Sequence, residues 1–424
     1  MQTHAKNVPT EELQSIVGGE RVRDASEEDA VDGVTPSVVV EPGTVEETSE
    51  VMKLASREGL AVSPRGGGTK MGLGNPPREA DLILSTARMD EVIEHAPGDQ
   101  IVRVQAGIKL EDLQERLAGA DQMLGIDPPE EGATIGGVVA ANSTGPRRYR
   151  YGTIRDLIIG LTFVRSDGTI ARAGGKVVKN VAGYDLAKLF TGSLGTLGVI
   201  AECNFRLHPK PEVGQTVAVE LSSPAAANGA AQAILHSQLV PSAVQLNWGE
   251  DARLLTVLIE GIEASVEAQA RTASNLLAGF GTLRKLTEED ESTLGPLAPP
   301  EAANEVTLKV STPPAELAGV LDSVLGAAER RGLTPHITAH AGNGVAYVGL
   351  SGGDEEALVQ VAEELREIWT RRGGSVVVRE APPAFKEKVE VWGPLGSRLE
   401  LSRRVKEKFD PRGTLNPGRF VGGI

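Results

Sequence analysis

Small residues fill the stretch from residue 132 to residue 145, which reads GATIGGVVAANSTG. Only Ile135, Val138 and Val139 carry bulky side chains there. Such a backbone can lie against a flat or anionic ligand, because glycine adopts positive φ and leaves N–H groups free to bind phosphate or carbonyl oxygens. The alternative is a loop with a short buried helix, and this stretch alone leaves both interpretations open.

Two further small-residue stretches favour the ligand. Residues 64–69 read PRGGGT, and residues 192–200 read GSLGTLGVI. A Rossmann loop requires Gly-x-Gly-x-x-Gly entering a long helix, whereas residues 70–77, KMGLGNPP, would break a helix. The N–H groups of residues 65–69 can instead form a nest for a pyrophosphate. Three such stretches within the length of one domain predict a single large nucleotide cofactor.

Charge and cysteine content exclude several classes of protein. The formal net charge of −15 argues against nucleic-acid binding, which needs a basic patch, and against docking on an anionic membrane. The single cysteine, Cys203, excludes a disulfide framework and an iron–sulfur cluster held by this chain, and its place in a predicted strand indicates a small core residue. Without an apolar run that reads as a signal peptide or a membrane span, we expect a cytoplasmic protein whose contact with the inner face of the membrane is made through partners.

The chain divides into four predicted parts. Residues 1–33 are polar and predict an N-terminal extension, a helix with an exposed connector. Residues 34–211 begin with the order strand, helix, strand, glycine loop, and residues 212–400 predict a second domain. Residues 401–424 form a tail that is rich in proline and glycine from Phe409 onwards, which suits a rigid segment returning to a fixed site.

The second domain shows an internal repeat of secondary structure. Residues 213–279 and residues 305–373 each predict strand, helix, strand, strand, helix, and a closing strand follows at residues 375–379. This is the order of a split βαβ, ferredoxin-like unit. A proline-rich linker at residues 294–300 joins the two halves.

The three glycine-rich stretches, with Tyr151–Gly152 and the GYDL of residues 183–186, together resemble the vanillyl-alcohol oxidase / p-cresol methylhydroxylase (PCMH) superfamily of flavoproteins. The resemblance covers roughly residues 34 to 210, and the LNPG of residues 415–418 is also typical of these proteins. Within the superfamily the chain looks most like the FAD-binding E subunits of glycolate oxidases. The resemblance implies an α+β fold, in which a two-subdomain PCMH-type FAD-binding domain is followed by a cap domain of two ferredoxin-like βαββαβ halves.

The resemblance also assigns the cofactor and its contacts. Covalent flavin attachment in this superfamily uses histidine or cysteine, which the loop at residues 64–69 lacks, so we expect non-covalent FAD. His95 and His208 are expected to be surface residues. The predicted FAD-binding residues are Pro64, Arg65, Gly66, Gly67, Gly68, Thr69, Gly72, Gly132, Ala133, Thr134, Gly136, Gly137, Ala140, Asn142, Ser143, Gly145, Tyr151, Gly152, Asp156, Gly183, Tyr184, Gly195, Gly198, Val199, Ile200 and Asn416.

The predicted substrate side departs from the family pattern. Hydroxy-acid dehydrogenases of the superfamily carry HAGDGNLH, whose histidines and acid help to hold a metal and the substrate, but residues 340–347 read HAGNGVAY. Since divalent metals prefer carboxylate and imidazole ligands, Asn343 and Tyr347 in place of the acid and the second histidine predict no metal. His340 remains a candidate base, with a hydrogen-bonded structural histidine as the equal alternative.

A carboxylate substrate requires a guanidinium clamp. The candidates are Arg148 beside the central glycine stretch and Arg419 in the tail, with Arg147 and Arg150 as further possibilities, although any of them can be simply solvated. The predicted catalytic residues are His340, Arg148 and Arg419. Trp248 and Trp392 either line the pocket or are ordinary core residues.

The resemblance implies an FAD-dependent 2-hydroxy-acid dehydrogenase component with glycolate as its substrate. Hydride would pass from the substrate α-carbon to flavin N5, and electrons would leave to an iron–sulfur subunit and a second flavoprotein subunit. Two alternatives stay open. One is a catalytically silent subunit that carries FAD as a relay or scaffold, which the altered HAGNGVAY motif favours. The other is a stand-alone FAD oxidase of another alcohol or sugar acid.

Overall fold

The computed structural model describes residues 7–175, 183–250, 253–286 and 306–424. The linker predicted at residues 294–300 lies outside these ranges. None of the helices within these ranges is long and apolar enough to cross a membrane. The helices are α1 (Thr10–Val17), α2 (Val45–Glu58), α3 (Leu110–Ala118), α4 (Ile135–Ala141), α5 (Arg148–Tyr151), α6 (Ile154–Leu157), α7 (Leu186–Phe190), α8 (Pro224–Leu235), α9 (Glu263–Leu277), α10 (Leu317–Glu329), α11 (Glu355–Arg371), α12 (Pro383–Lys388) and α13 (Arg398–Phe409).

The strands form three main sheets and one short two-stranded pair. They are β1 (Val22–Asp24), β2 (Val38–Val40), β3 (Val62–Arg65), β4 (Leu82–Ser85), β5 (Val92–Ala96), β6 (Ile101–Gln105), β7 (Gln122–Met123), β8 (Ile158–Val164), β9 (Ile170–Gly174), β10 (Val199–Arg206), β11 (His208–Pro209), β12 (Val213–Glu220), β13 (Ala243–Trp248), β14 (Arg253–Gly261), β15 (Thr282–Arg284), β16 (Val306–Ser311), β17 (Thr334–His340), β18 (Val345–Ser351) and β19 (Ser375–Glu380).

The first subdomain is a four-stranded sheet in the order β1-β2-β4-β3. The helix predicted after the first strand is α2. It begins after Thr44, whose side chain accepts a hydrogen bond from Glu47 N, and it ends at Gly59 in the left-handed conformation. Helix α1 lies within the predicted N-terminal extension, and residues 26–28 of its connector are exposed, but part of the connector belongs to the sheet. Strand β1 pairs antiparallel with β2, and Leu13 and Val31 are fully buried. The apolar spacing within this polar segment is therefore enough to anchor it on the sheet.

The second subdomain is an antiparallel sheet in the order β5-β6-β10-β8-β9. Helix α4 packs on β10 and buries Ile135, Val138 and Val139. The central small-residue stretch is thus partly the short buried helix of the alternative interpretation, although its glycines still border a cleft. Cys203 is fully buried in β10, where burial raises the pKa of its thiol, as expected for a core cysteine.

The cap is a single eight-stranded sheet in the order β15-β12-β14-β13-β17-β18-β16-β19. Each half has the ferredoxin-like order, and the halves join where β13 pairs antiparallel with β17. One sheet face packs its aliphatic side chains, such as Leu246, Val257 and Val348, against helices α8 to α11. The other face carries polar side chains and turns towards the first two subdomains, where Glu260 of β14 pairs with Arg147. The observed fold is therefore the predicted α+β arrangement of two subdomains followed by a cap of two ferredoxin-like halves.

The C-terminal segment begins with a helix that the sequence analysis missed, α13. After it the chain returns to the first subdomain: Val62 N donates to Thr414 O at 2.7 Å, and Asn416 N donates to Val62 O at 2.9 Å. The tail therefore extends the sheet beside β3, directly before the glycine loop at residues 66–68.

Candidate functional site

A cleft of about 720 Å³, part of it open to solvent, runs between the two subdomains of the FAD-binding domain. The structure brings all three glycine-rich stretches and the tail to this one cleft. Its lining residues are Pro64, Arg65, Gly66, Gly67, Gly68, Thr69, Lys70, Met71, Thr86, Thr134, Gly136, Gly137, Ala140, Ala141, Leu194, Gly195, Gly198, Val199, Ile200, Asn416 and Arg419.

Glycine is required where the first two stretches meet. A Cβ on Gly67 would lie 2.2 Å from Gly132 O, and a Cβ on Gly66 would lie 2.0 Å from the Thr134 hydroxyl oxygen. Gly67 N donates to that hydroxyl at 3.2 Å. On the far side of the cleft, a Cβ on Gly136 would lie 2.7 Å from the Ala106 Cβ. These contacts hold the backbone of both stretches against each other at the cleft.

The chemistry of this lining fits a dinucleotide. Among the lining residues Arg65, Lys70 and Arg419 are cationic, and none is a carboxylate. Asn416 donates its amide to Leu194 O at 2.6 Å, which leaves its buried Oδ1 without a partner within the described chain. A buried acceptor without a donor is costly unless a ligand supplies one. An anionic pyrophosphate and a flavin with ring N–H groups would satisfy both features.

Several predicted FAD-binding residues do not line the cleft. Three of them shape the backbone around it: Gly132 has a φ of +69°, Asn142 closes α4 in the left-handed conformation, and Gly152 closes α5 at a φ of +81°. Ala133 is buried in the core of the second subdomain. Ser143 and Gly145 line a second cleft.

The remaining predicted cofactor residues lie elsewhere. Tyr151 is buried against His208, with ring centroids 5.0 Å apart, so His208 is only partly exposed, and burial lowers its pKa. Asp156 caps α6 by accepting from Thr153 N and Oγ1, each at 2.8 Å. Tyr184 is 92% exposed.

Of the rest, Gly183 has a φ of +80°, and Gly72 lies just past the cleft, where its carbonyl accepts from Lys386 Nζ. His95 is partly exposed and bonds Gln122 through Nε2 at 2.9 Å.

A second cleft lies between the FAD-binding domain and the polar face of the cap. Lys70 lines both clefts, so they are neighbours. The FAD-binding domain contributes loop residues and the cap contributes strand residues. The residues that line the second cleft are Lys70, Pro129, Glu130, Ser143, Thr144, Gly145, Pro146, His340, Tyr347 and Arg379.

Glu130 organises the charges in this second cleft. Its carboxylate accepts from Lys70 at 2.6 Å, from Arg379 at 3.2 Å and from the Ser143 hydroxyl at 2.6 Å. Burial alone would raise the pKa of Glu130, but these partners hold it below its ordinary value. Glu130 is therefore ionised, and it ties Lys70 from the glycine loop to Arg379 from the cap.

His340 is a neutral, buried side chain at the end of β17. Burial, together with the nearby positive charges of Arg148 and Lys309, lowers its pKa to about 3. Its Nδ1 has no partner among the described residues, and the Tyr347 ring packs edge-on at 5.4 Å. Burial also raises the pKa of Tyr347, so its hydroxyl keeps its proton. The cleft therefore offers an imidazole that can accept a proton and a phenol that can donate a hydrogen bond.

Lys309 is the functional candidate that the sequence analysis missed. It stands opposite Tyr347 in the β16–β18 register, which places both side chains on the polar sheet face. Burial and the positive charges of Arg379 and Arg148 lower its pKa to about 8. Within the described residues Lys309 has no ion pair, and Arg148 has only a 3.3 Å hydrogen bond to Thr144 Oγ1. Two cations without counterions beside a neutral His340 create a site for an anion.

The other predicted substrate arginines are engaged elsewhere. Arg147 pairs with Glu260 at 2.6 Å, and Arg150 donates to Glu260 O at 2.7 Å. Arg419 is not at the second cleft: its Nη2 donates to Met71 O and Leu73 O beside the cofactor cleft.

The tryptophans lie outside both clefts. Trp248 is buried, with Arg253 stacked over its ring at 5.2 Å. Trp392 donates to Arg419 O at 3.3 Å.

A sequence signal for the missed residues exists. Lys309 lies on the polar side of the alternating strand VTLKVS, and Arg379–Glu380 follows three valines in the strand SVVVRE. A charged residue inside a predicted cap strand indicates a polar sheet face. In the described ranges no three His, Cys, Asp or Glu side chains are grouped so as to hold a metal ion.

Two family models match the chain. The FAD binding domain matches residues 36–174, and the C-terminal domain of FAD linked oxidases matches residues 386–420. The first range contains the loop at residues 64–69 and the stretch at residues 132–145. The second contains the Asn416 tail that lines the same cleft.

Proteins of known name are similar over most of the chain. Glycolate oxidase subunit GlcD of Bacillus subtilis is 28% identical over 430 residues, covering 91% of this chain and 89% of its own. D-lactate dehydrogenase of Archaeoglobus fulgidus is 28% identical over 407 residues, covering 91% of each chain. The solved structure of p-cresol methylhydroxylase with substrate bound superposes with a TM-score of 0.77 at 17% identity, covering 97% of this chain and 95% of its own. FAD is therefore the cofactor of this chain, and the chain is an FAD-linked oxidoreductase.

Proposed function

We propose that the chain is an FAD-dependent dehydrogenase of a small 2-hydroxy acid, of the glycolate or D-lactate type. The observation that carries the proposal is the second cleft beside the cofactor cleft, which is lined by the neutral His340. The positive charges of Arg148 and Lys309 lie near enough to His340 to lower its pKa. The relatives named for glycolate oxidase and D-lactate dehydrogenase support this substrate class. The E-subunit identity inferred from the motifs is part of the proposal, since the glycolate oxidase relative above is subunit GlcD.

The chain's own residues supply binding and proton transfer. Arg148 and Lys309 would bind the substrate carboxylate, since charge-assisted hydrogen bonds are the strong ones in such sites. Tyr347 would donate a hydrogen bond to the substrate, and His340 Nδ1 would accept the proton of the substrate hydroxyl. When bound, non-covalent FAD supplies the hydride acceptor, N5, for the hydrogen on the substrate α-carbon. The cap covers the site and excludes water from the reacting atoms.

A bound carboxylate would also improve His340 as a base. Burial is the main cause of the low pKa of His340, and the positive charges of Arg148 and Lys309 lower this pKa further. A substrate anion between them offsets that field, so the imidazole becomes more basic when the substrate is present. No metal is needed for this arrangement, and we propose that the site holds none. Electrons would then leave to an iron–sulfur subunit and a second flavoprotein subunit.

The second candidate is a subunit that carries FAD but does not oxidise the substrate itself. The Tyr347 and Asn343 departures from the HAGDGNLH pattern favour it. Anaerobic mixing of the purified FAD-loaded chain with glycolate or D-lactate separates the two candidates. Loss of the visible flavin absorption band supports the dehydrogenase, whereas a band that stays oxidised with both acids supports the relay subunit.

A further inference from the structure

Two buried cations contact the loop at residues 71–73, which follows the first glycine-rich stretch. Lys386, on α12, has no exposed side-chain surface, and it pairs with Asp32 at 2.7 Å. Its Nζ also donates to Gly72 O. Arg419, from the tail, is 3% exposed, and its Nη2 donates to Met71 O and to Leu73 O.

These contacts engage three consecutive carbonyls, those of residues 71, 72 and 73, with two cations that are distant in sequence. We call these contacts of Lys386 and Arg419 with the carbonyls of residues 71–73 the loop clamp. In a trans peptide the N–H points away from the carbonyl, so holding the carbonyls also sets the direction of the N–H groups of the same peptides. The same loop begins at Lys70 and Met71, which line the cofactor cleft. The conformation of residues 70–73 therefore depends on Lys386 and Arg419, which come from the C-terminal part of the chain.

The C-terminal tail also contacts the next residues of the loop, Gly74 and Asn75. Asn75 N donates to Arg419 O at 3.0 Å, and the Asn75 amide donates to Gly418 O and Phe420 O, each at 3.3 Å. A Cβ on Gly74, where φ is +96°, would lie 2.6 Å from Arg419 O. Glycines 72 and 74 would otherwise leave this loop with many accessible conformations, so the buried contacts must supply its order.

We propose that Lys386 and Arg419 are positioning residues for FAD, and that their contacts with residues 71–73 control how long the cofactor stays bound. Asp32, from the N-terminal segment, is the counterion that keeps Lys386 charged in the interior. The N-terminal and C-terminal segments thereby become parts of the cofactor site, although only Arg419 of these three residues lines the cleft. Lys386 and Arg419 can fill this role without touching the cofactor, because they act on it through the carbonyls of residues 71–73.

The test measures FAD release from the purified holoprotein, as the rate at which FAD appears in the ultrafiltrate after dilution. The variants are Lys386→Met, Asp32→Asn and the double variant Asp32→Asn/Lys386→Met. Lys388→Met is the matched control, because Lys388 lies on the same helix but pairs with Glu355 at the exposed surface. Thermal unfolding of each apoprotein is recorded in parallel.

Lys386→Met should release FAD roughly 10- to 100-fold faster, the factor expected for loss of a charge-assisted hydrogen bond. Asp32→Asn leaves a buried lysine without its counterion, so the apoprotein should unfold at lower temperature, but the Gly72 contact and slow FAD release should remain. The double variant should regain stability, because it buries no unpaired charge, and it should still release FAD fast.

Two results would overturn the proposal. One is an FAD release rate of Lys386→Met or of the double variant that differs by less than about twofold from the rates of the wild type and Lys388→Met. Such a change is too small for the loss of a charged contact. The other is a release rate that follows apoprotein stability across the series, which would make the ion pair a purely structural element. If Lys386→Met does not fold, the double variant decides between the outcomes.

Discussion

Replacement of Lys309 by methionine is expected to stabilise the protein and weaken substrate binding at the same time. Burial and two neighbouring guanidinium groups lower the pKa of Lys309 from 10.5 to about 8. That difference corresponds to about 3 kcal/mol by which the charged lysine disfavours the folded state. Below pH 8 both the folded and the unfolded chain carry the proton, so the whole effect is present at pH 7.

The effect on stability should depend on pH with a defined sign. Between pH 8 and 10.5 the folded chain has lost the Lys309 proton while the unfolded chain keeps it, so wild-type stability rises with pH relative to the variant. Lys309→Met should therefore raise the free energy of unfolding by up to about 3 kcal/mol at pH 7. This advantage should shrink towards zero as the pH approaches 10.5. Chemical denaturation of the holoprotein at pH 7 and pH 9.5 measures both values.

The same substitution should raise KM for the 2-hydroxy acid. A hydrogen bond to a charged group contributes about 1.5–3 kcal/mol, which corresponds to about a 10- to 150-fold increase in KM. In the wild-type enzyme kcat/KM should fall as the pH rises through about 8, because Lys309 loses its charge, and the variant should lack this fall. The exposed Lys388→Met variant is the control. A variant that is less stable than the wild type at pH 7, or that keeps both the KM and the pH profile, would refute this account of Lys309.

Three further predictions concern the same clefts. His340→Gln should lower kcat about 10²- to 10⁴-fold, the usual contribution of a positioned base, and should leave the flavin spectrum unchanged. Anaerobic reduction of the variant's flavin by the substrate at the wild-type rate would exclude His340 as the base. Burial raises the pKa of Asp127 to about 7, although the nearby Arg147 opposes the shift. The folded chain therefore holds an extra proton between about pH 4 and pH 7, and wild-type stability should fall as the pH rises over that interval. Asp127→Asn should unfold with a flatter pH dependence, and an identical profile contradicts the assignment. Dialysis against a chelator should leave kcat unchanged, and activity that is lost and then restored by a divalent metal would disprove the metal-free site.

Local sequence was sufficient for much of the fold. The capping pair Thr44 and Glu47 starts α2, and such a cap is set by local sequence because it involves residues three positions apart. The cap halves were predicted in the right order of elements, since period-two and period-3.6 patterns need only neighbouring residues. By contrast, the polar look of residues 22–31 concealed β1, because the pairing of an edge strand depends on β2, which is distant in sequence.

The candidate site shows the same division. The glycine stretches predicted the cofactor cleft, because a close approach of backbones requires glycine whatever lies opposite. Arg419 was expected to bind the substrate, but it holds Met71 and Leu73 carbonyls instead, and a single arginine in a turn-rich tail gives no direction to its side chain. Lys309 was missed since one lysine within a strand is ordinary until the sheet shows which face it lies on.

The sequence by itself determined the FAD-binding character and the order of the elements, because both follow from residue types at short spacing. Only the tertiary structure decided which charges remain unpaired. Glu130 neutralises Lys70 and Arg379 across 60 and 249 residues. Arg148 instead lies near enough to Lys309 to lower its pKa, and neither has an ion pair within the described ranges. Pairing of buried charges depends on distances of a few ångströms between remote segments, and only the folded chain sets those distances.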